Sequence, residues 1–177
     1  MHGDFQLRAP EVADTVKLAS LGRDTFIETF APLYEKEDLD HFLEEVYSDG
    51  AVAEELADPK LTHRVIEFET ELIGFIKVGP VHVPAKSPLL NAAEIWQIYV
   101  RQSFLGKGLG DLLMEWAIDH FASINTPEIY VSVFSGNPRA IRFYEKYGFK
   151  KIDEYGFPVG DQIDLEWIMK KNTKPRG

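Results

Sequence analysis

Between the nearly unbroken apolar run AEIWQIYV (93–100) and the helical segment DLLMEWAIDHF (111–121), glycine occupies three alternate positions, Gly106, Gly108 and Gly110. No other feature narrows the fold as far. Glycine at that density costs conformational entropy on folding, so it is expected where bare backbone is required. The run before it suits a strand at a sheet centre, covered on both faces. Strand, glycine turn and helix start together make an anion site. The first N–H groups of a helix lack intrahelical partners, the helix dipole adds positive charge, and missing side chains admit a phosphate. Two common owners of such loops are excluded. A P-loop needs Gly-Lys followed by Ser or Thr, whereas Lys107 is followed by Gly108. A Rossmann fingerprint needs G-x-G-x-x-G, whereas the spacing here is G-x-G-x-G. By itself the loop is equally consistent with a plain corner between strand and helix.

The 177 residues suffice for one domain with a full core, and 45% apolar content suits a globular chain. A single domain is expected over 1–171, with a loose tail at 172–177. No apolar run approaches a membrane span, and MHGDFQLRAP lacks the basic-then-apolar layout of a signal peptide. The chain contains no cysteine, which excludes disulfides and a cysteine nucleophile and points to a cytoplasmic setting. A net charge of −10 argues against nucleic acid as a partner. Between Glu35 and Asp58, ten acids face one base, Lys36. Solvated helix faces and an electrostatic funnel for a cation both account for that run.

Apolar spacing predicts a short strand at 5–8 and a helix from Glu11 to about Phe30. Val12, Val16, Ala19, Phe26, Ile27 and Phe30 form that helix's apolar set, with an interruption at Gly22. A second helix is capped by Asp38, and a short one covers 51–57. HRVIEFET and ELIGFIKVGPV then read as strands joined near Thr70 and Glu71, with a proline-marked loop beyond. Strand 93–100, the glycine loop and a helix ending near Ile124 follow. A strand at 128–133, a helix from Asn137 and a closing hairpin complete a mixed α/β chain. In NPRAIRFYEKYGF (137–149), Asn137 suits a helix cap, Pro138 the first turn and Gly148 a left-handed stop. Asn137, Ala140 and Tyr144 share one helix face, on which a slender ligand could lie. A cap and two core aromatics, Phe143 and Tyr144, are the plainer reading.

The pair IYVRQSFLGKGLGDLL and NPRAIRFYEKYGF resembles the GNAT superfamily, the Gcn5-related N-acetyltransferases that bind acetyl-CoA. The first matches that family's R/Q-x-x-G-x-G/A pyrophosphate loop except at its first position, Leu105. The second matches its N-x-x-A-x-x-x-Y-x-x-x-G-F helix throughout. The resemblance implies a mostly antiparallel central sheet of about seven strands flanked by helices. It also implies acetyl-CoA as co-substrate, no metal, and the homodimers common in the family. Main-chain contacts to pantetheine are implied at Ile98, Tyr99 and Val100. Further coenzyme contacts are implied at Leu105, Gly106, Lys107, Gly108, Leu109, Gly110, Asn137, Ala140 and Arg142, with Lys107, Arg139 and Arg142 as charges that could screen the phosphates. LGRDTFIETFAPLY and EIWQIYVRQSFLGKGLG look most like bacterial PaiA-type polyamine acetyltransferases, so a small cationic amine is the implied acceptor. Protein N-termini or lysines, or a CoA-binding module without turnover, are the alternatives.

Amine acetylation needs a base for the amine, a donor for the oxyanion and an acid for the departing thiolate. The resemblance makes Tyr144 the acid. Glu94, a carboxylate in an apolar strand, is the candidate base, acting through water; a strand-end carboxylate facing solvent is the alternative. Phe30 and Tyr34, in a four-residue stripe with Phe26, and Glu35 are candidate substrate contacts, with core packing as the alternative for the aromatics. His2, His41, His63, His82 and His120 follow no metal-binding spacing and are expected to be surface or packing residues.

Overall fold

The expected change of period near residue 60 is where helices give way to strands in the computed structural model, which describes residues 4–173. Elements run β1 (Gln6–Arg8), α1 (Thr15–Phe30), α2 (Lys36–Tyr47), α3 (Asp49–Ala57), β2 (Thr62–Phe68), β3 (Glu71–Pro80), β4 (Ala93–Val100), α4 (Leu109–Ser123), β5 (Glu128–Phe134), α5 (Pro138–Lys146), β6 (Lys150–Val159) and β7 (Gln162–Asn172). The strands form one seven-stranded sheet in the order β1-β2-β3-β4-β5-β7-β6, with β4 in the middle. β1–β2, β5–β7 and β6–β7 are antiparallel. β4–β5 is parallel, over Ala93↔Ile129, Glu94↔Tyr130 and Ile95↔Val131. Glu69 and Thr70 both have positive φ (48° and 73°). That is the mirror-image turn whose twist suits a two-residue hairpin between β2 and β3. No helix among the described residues is long and apolar enough to cross a membrane.

The Cα trace groups into two compact units, residues up to Lys77 with Gln97–Trp116, and Val78–Trp96 with the residues from Ala117 on. In the first, α1 buries Leu18, Ala19, Leu21, Gly22, Thr25 and Phe26. Its core continues through Leu39, Leu43 and Tyr47 of α2, Val52 of α3, and Val65, Leu72 and Phe75 of the strands. The expected apolar set of α1 is corrected here. Val12 and Val16 are exposed and precede or open the helix, because the face that meets the core is centred on Leu18 and Leu21. Gly22 does not interrupt α1. A Cβ there would stand 2.3 Å from the Tyr47 ring, so the glycine serves close approach. α2 begins one turn earlier than expected, with Glu35 at its cap position and Asp38 in its first turn, where a carboxylate favours the helix dipole. Ser48 accepts from the Ala51 N–H and starts α3 at Asp49.

In the second unit, Val83, Tyr130 and Ile168 form a buried cluster against Val81, Ala85, Ala92 and Tyr155. Beside it Ser132 Oγ stands 2.8 Å from the Tyr155 hydroxyl and donates to Glu166 Oε2 at 3.2 Å. Burial pushes the Glu166 carboxyl up to about 7, against a smaller downward pull from Ser132 and with a further push from Asp164. At the C-terminal end, Asn172 belongs to β7 and the Thr173 N–H bonds to the Pro127 carbonyl at 3.0 Å. Residues 172 and 173 therefore do not belong to a loose tail, and the rest of the expected tail, 174–177, lies outside the described residues.

Two outcomes follow from this packing. Gly22→Ala should destabilise the chain by on the order of 1–3 kcal/mol in denaturant unfolding, because the added methyl overpacks against a buried ring. Folded Glu166 holds a proton that the unfolded chain releases near 4.5, so its contribution to stability falls as pH rises from about 4.5 to about 7. Glu166→Gln removes that slope. Its stability relative to wild type should rise by on the order of 1–3 kcal/mol between pH 4.5 and 8, read by unfolding at each pH.

Candidate active site

The glycine loop takes its position from the strand end before it. The Arg101 N–H bonds to the Ile73 carbonyl at 2.8 Å, and the Arg101 guanidinium reaches Asp24 of α1 at 2.7 Å. The Gln102 N–H donates to Glu28 of α1 at 2.8 Å. A short 3-10 turn over Gln102–Phe104 then delivers the chain to Leu105. Gly106 and Gly108 sit at φ +81° and +77°, a region that side-chain-bearing residues rarely adopt, and an added Cβ at either would meet only open space. The backbone conformation, not crowding, requires glycine at both. Gly110 falls in the first turn of α4, where Leu109 is buried and the Leu112 N–H donates to Gly108 at 3.0 Å. Leu105, Gly106, Lys107 and Gly108 are exposed. An anion reaching this turn meets main chain and the Lys107 ammonium.

The other candidates of the first unit are placed as follows. Ile98, Tyr99 and Val100 are half-buried on β4, and the Tyr99 ring lies 5.8 Å from that of Phe75. Phe30 and Tyr34 surround Phe26, with centroids 4.8 and 6.2 Å away, and both pack against the core while remaining partly exposed. Glu35 is exposed, as are Glu37, Asp40, Glu44, Glu45, Asp49 and Glu54, so α2 and α3 present an acidic surface. Burial and the nearby Lys77 hold His63 down to about 4, which keeps it uncharged at neutral pH.

In the second unit, Asn137 caps α5 by accepting from the Ala140 N–H at 3.2 Å, Pro138 occupies the first turn, and Gly148 has φ +91°. Tyr144 is buried, with Phe143 and Phe149 edge-on at 5.7 and 5.8 Å. Arg139 and Arg142 are exposed. Glu94 does not face solvent; it is 1% exposed. Its Oε1 accepts the main-chain N–H groups of His82 and Val83 at 3.0 and 2.9 Å, and Oε2 stands 2.6 Å from His82 Nδ1. The His82 ring stacks on Trp96 at 3.9 Å, and the Trp96 Nε1–H donates to the Pro80 carbonyl at 2.9 Å. His82 is a surface residue that packs on Trp96, as expected, and it also stands against a buried carboxylate. Sequence reasoning missed it because its partner lies twelve residues away across a loop. The alternation that puts Glu94 and Trp96 on one side of β4 was the only available signal. Among the described residues, no cluster of three or more His, Asp or Glu side chains is arranged to hold a metal ion.

The sequence pattern of the Acetyltransferase (GNAT) family matches residues 23–149. An uncharacterized N-acetyltransferase of Lactobacillus delbrueckii subsp. lactis is 27% identical over 89% of this chain and 91% of its own length. The spermine/spermidine N(1)-acetyltransferase of Bacillus subtilis is 30% identical over 51% of this chain and 60% of its own. The crystal structure of the PaiA N-acetyltransferase of Thermoplasma acidophilum in complex with coenzyme A superposes with a TM-score of 0.78 at 22% identity, over 96% of this chain and 99% of that one. A pattern match over most of the chain, on a seven-stranded sheet with the expected element order, establishes that this chain belongs to the GNAT family of N-acetyltransferases.

Proposed function

We propose that the chain transfers an acetyl group from acetyl-CoA to a primary amine of a small polycation, a polyamine being the best fit. The observation that carries the donor half is the loop opening α4, where two exposed glycines at positive φ bare the backbone. Leu105 to Gly110 would hold the pyrophosphate through main-chain N–H groups, with Lys107, Arg139 and Arg142 screening phosphate charge. Ile98, Tyr99 and Val100 would offer main chain to the pantetheine arm, beyond the point at which the β4–β5 ladder ends. Asn137 and Ala140 begin the helix that carries Tyr144, the proposed donor of a proton to the departing thiolate. Glu94 supplies the carboxylate of the proton-accepting side. No covalent enzyme intermediate is required, in keeping with a chain that has no cysteine.

The acceptor half rests on the exposed acids of α2 and α3 and on relatives whose names specify spermine and spermidine. An acidic surface raises the local concentration of a polycation and loses that effect as salt screens it. Phe30, Tyr34 and Glu35 border that surface and are the proposed contacts for the amine chain.

Thiol release from acetyl-CoA across a panel of polyamines, monoamines and peptides tests the reading. Spermidine or spermine should exceed peptides in kcat/KM, and equal use of peptides would overturn the acceptor class. Tyr144→Phe should lower kcat about 100-fold or more with little change in the KM for acetyl-CoA. Gly108→Ala forces a side chain into the left-handed region at a cost of about 1–2 kcal/mol, and should raise the KM for acetyl-CoA about tenfold. Replacing Glu35, Glu37 and Asp38 by their amides should raise the KM for spermidine and flatten its salt dependence. An unchanged salt slope would sink the electrostatic part.

A further inference from the structure

The Glu94–His82–Trp96 arrangement does more than tie a loop to a strand. We infer that His82 is the group that takes the proton from the acceptor amine, with Glu94 as its positioning residue. This deepens the acetyl-transfer reading and rests on it. Both oxygens of the buried Glu94 carboxylate are engaged, Oε1 by two main-chain N–H groups and Oε2 by the imidazole. A carboxylate so enclosed has no face left for a substrate amine. The imidazole in front of it has one. Its Nδ1 points inward at 2.6 Å from Glu94, while the side chain remains 53% exposed.

The geometry also selects the tautomer. A carboxylate accepts and cannot donate, so the proton of neutral His82 resides on Nδ1 and the lone pair on Nε2. The Nε2 edge is then the basic one. Stacking on Trp96, itself fixed through Pro80, holds the ring plane, so the lone pair keeps one direction. Nothing in a loop-anchoring role calls for this third contact, because the two main-chain bonds to Glu94 already secure residues 82 and 83. Across the sheet, the Tyr155 hydroxyl of β6 feels the charges of both Glu94 and Glu166 of β7. Tyr155 is raised first by burial, and then by the charges of Glu166 and Glu94.

In the reaction, His82 Nε2 accepts one proton from the substrate ammonium and passes it to solvent. The freed amine forms a C–N bond to the thioester carbonyl carbon. As the adduct collapses the C–S bond breaks, the thiolate takes a proton from Tyr144, and the second nitrogen proton leaves to restore Tyr144 through solvent. The products are the amide, coenzyme A as its thiol, and one net proton.

The test compares thiol release with acetyl-CoA and spermidine for wild type, His82→Ala, His82→Gln and Glu94→Gln, with thermal unfolding of each. His82→Ala should lose about 100-fold or more in kcat while its KM for acetyl-CoA stays within a few-fold, and added imidazole should restore part of the loss. His82→Gln, which fills the site, should be equally slow and respond less to imidazole. Glu94→Gln should lower kcat and alter its pH profile, since the amide can hold the wrong tautomer. A folded His82→Ala that keeps kcat within threefold of wild type overturns the assignment. So does a folded, slow His82→Ala that imidazole leaves unchanged, which makes the residue structural. Wild type that releases no thiol with any amine overturns the acetyl-transfer reading itself, a result distinct from either.

Discussion

A central strand has to satisfy its backbone hydrogen bonds on two edges, and β4 does so against β5 over only three residues, Ala93 to Ile95. The division of β4 into two segments follows from that short ladder. Before its end, the strand is buried on all sides and carries Glu94, which must find every partner within the protein. Beyond its end, Trp96 to Val100 are only half-buried, and their main chain is not engaged in that ladder. One strand therefore carries a fully satisfied carboxylate in one segment and leaves the β5 ladder in the next.

Fixed charges in this molecule divide by burial. The acids of α2 and α3 are mostly exposed, where each contributes little to stability but all contribute to the field a cation feels. The interior carboxylates are each tied by donors. Glu94 has two N–H groups and an imidazole. Glu128 accepts the Leu89 N–H at 2.8 Å and the Tyr130 hydroxyl at 2.7 Å, and these bonds together with Lys170 outweigh its desolvation and lower its pKa. Glu166, which accepts from the Ser132 hydroxyl and has Asp164 nearby, is pushed the other way. For Glu128 the donors outweigh burial, and for Glu166 burial outweighs its donor.

The order of elements was readable from local pattern because helix and strand periods differ and because caps and turns have chemical signatures. Asn137-Pro138 and Gly148 bounded α5 as predicted, and the glycine loop and β4 fell where the apolar run and its break placed them. The start of α2 moved from Asp38 to Glu35, which takes the cap position without a side-chain cap bond and leaves Asp38 in the first turn. Positions governed by distant packing were not legible. Gly22 reads in the sequence as an interruption of α1, whereas its reason is the ring of Tyr47, twenty-five residues on, which lies against it. Val12 and Val16 scored as apolar face but lie outside, since spacing identifies a periodic set without saying how much of it a core can cover.

The same division holds at the candidate site. The sequence by itself determined the family, through two motifs whose spacing encodes a bare-backbone turn and a capped helix, and these are properties of short segments. It also named Glu94 as an anomaly, because a carboxylate in an apolar strand is anomalous wherever the strand lies. Only the tertiary structure decided what that carboxylate meets. Residues 82 and 94 meet because a loop returns the chain to β4, and whether a half-exposed imidazole or a water stands before a buried acid depends on that return path, which no local period or propensity records.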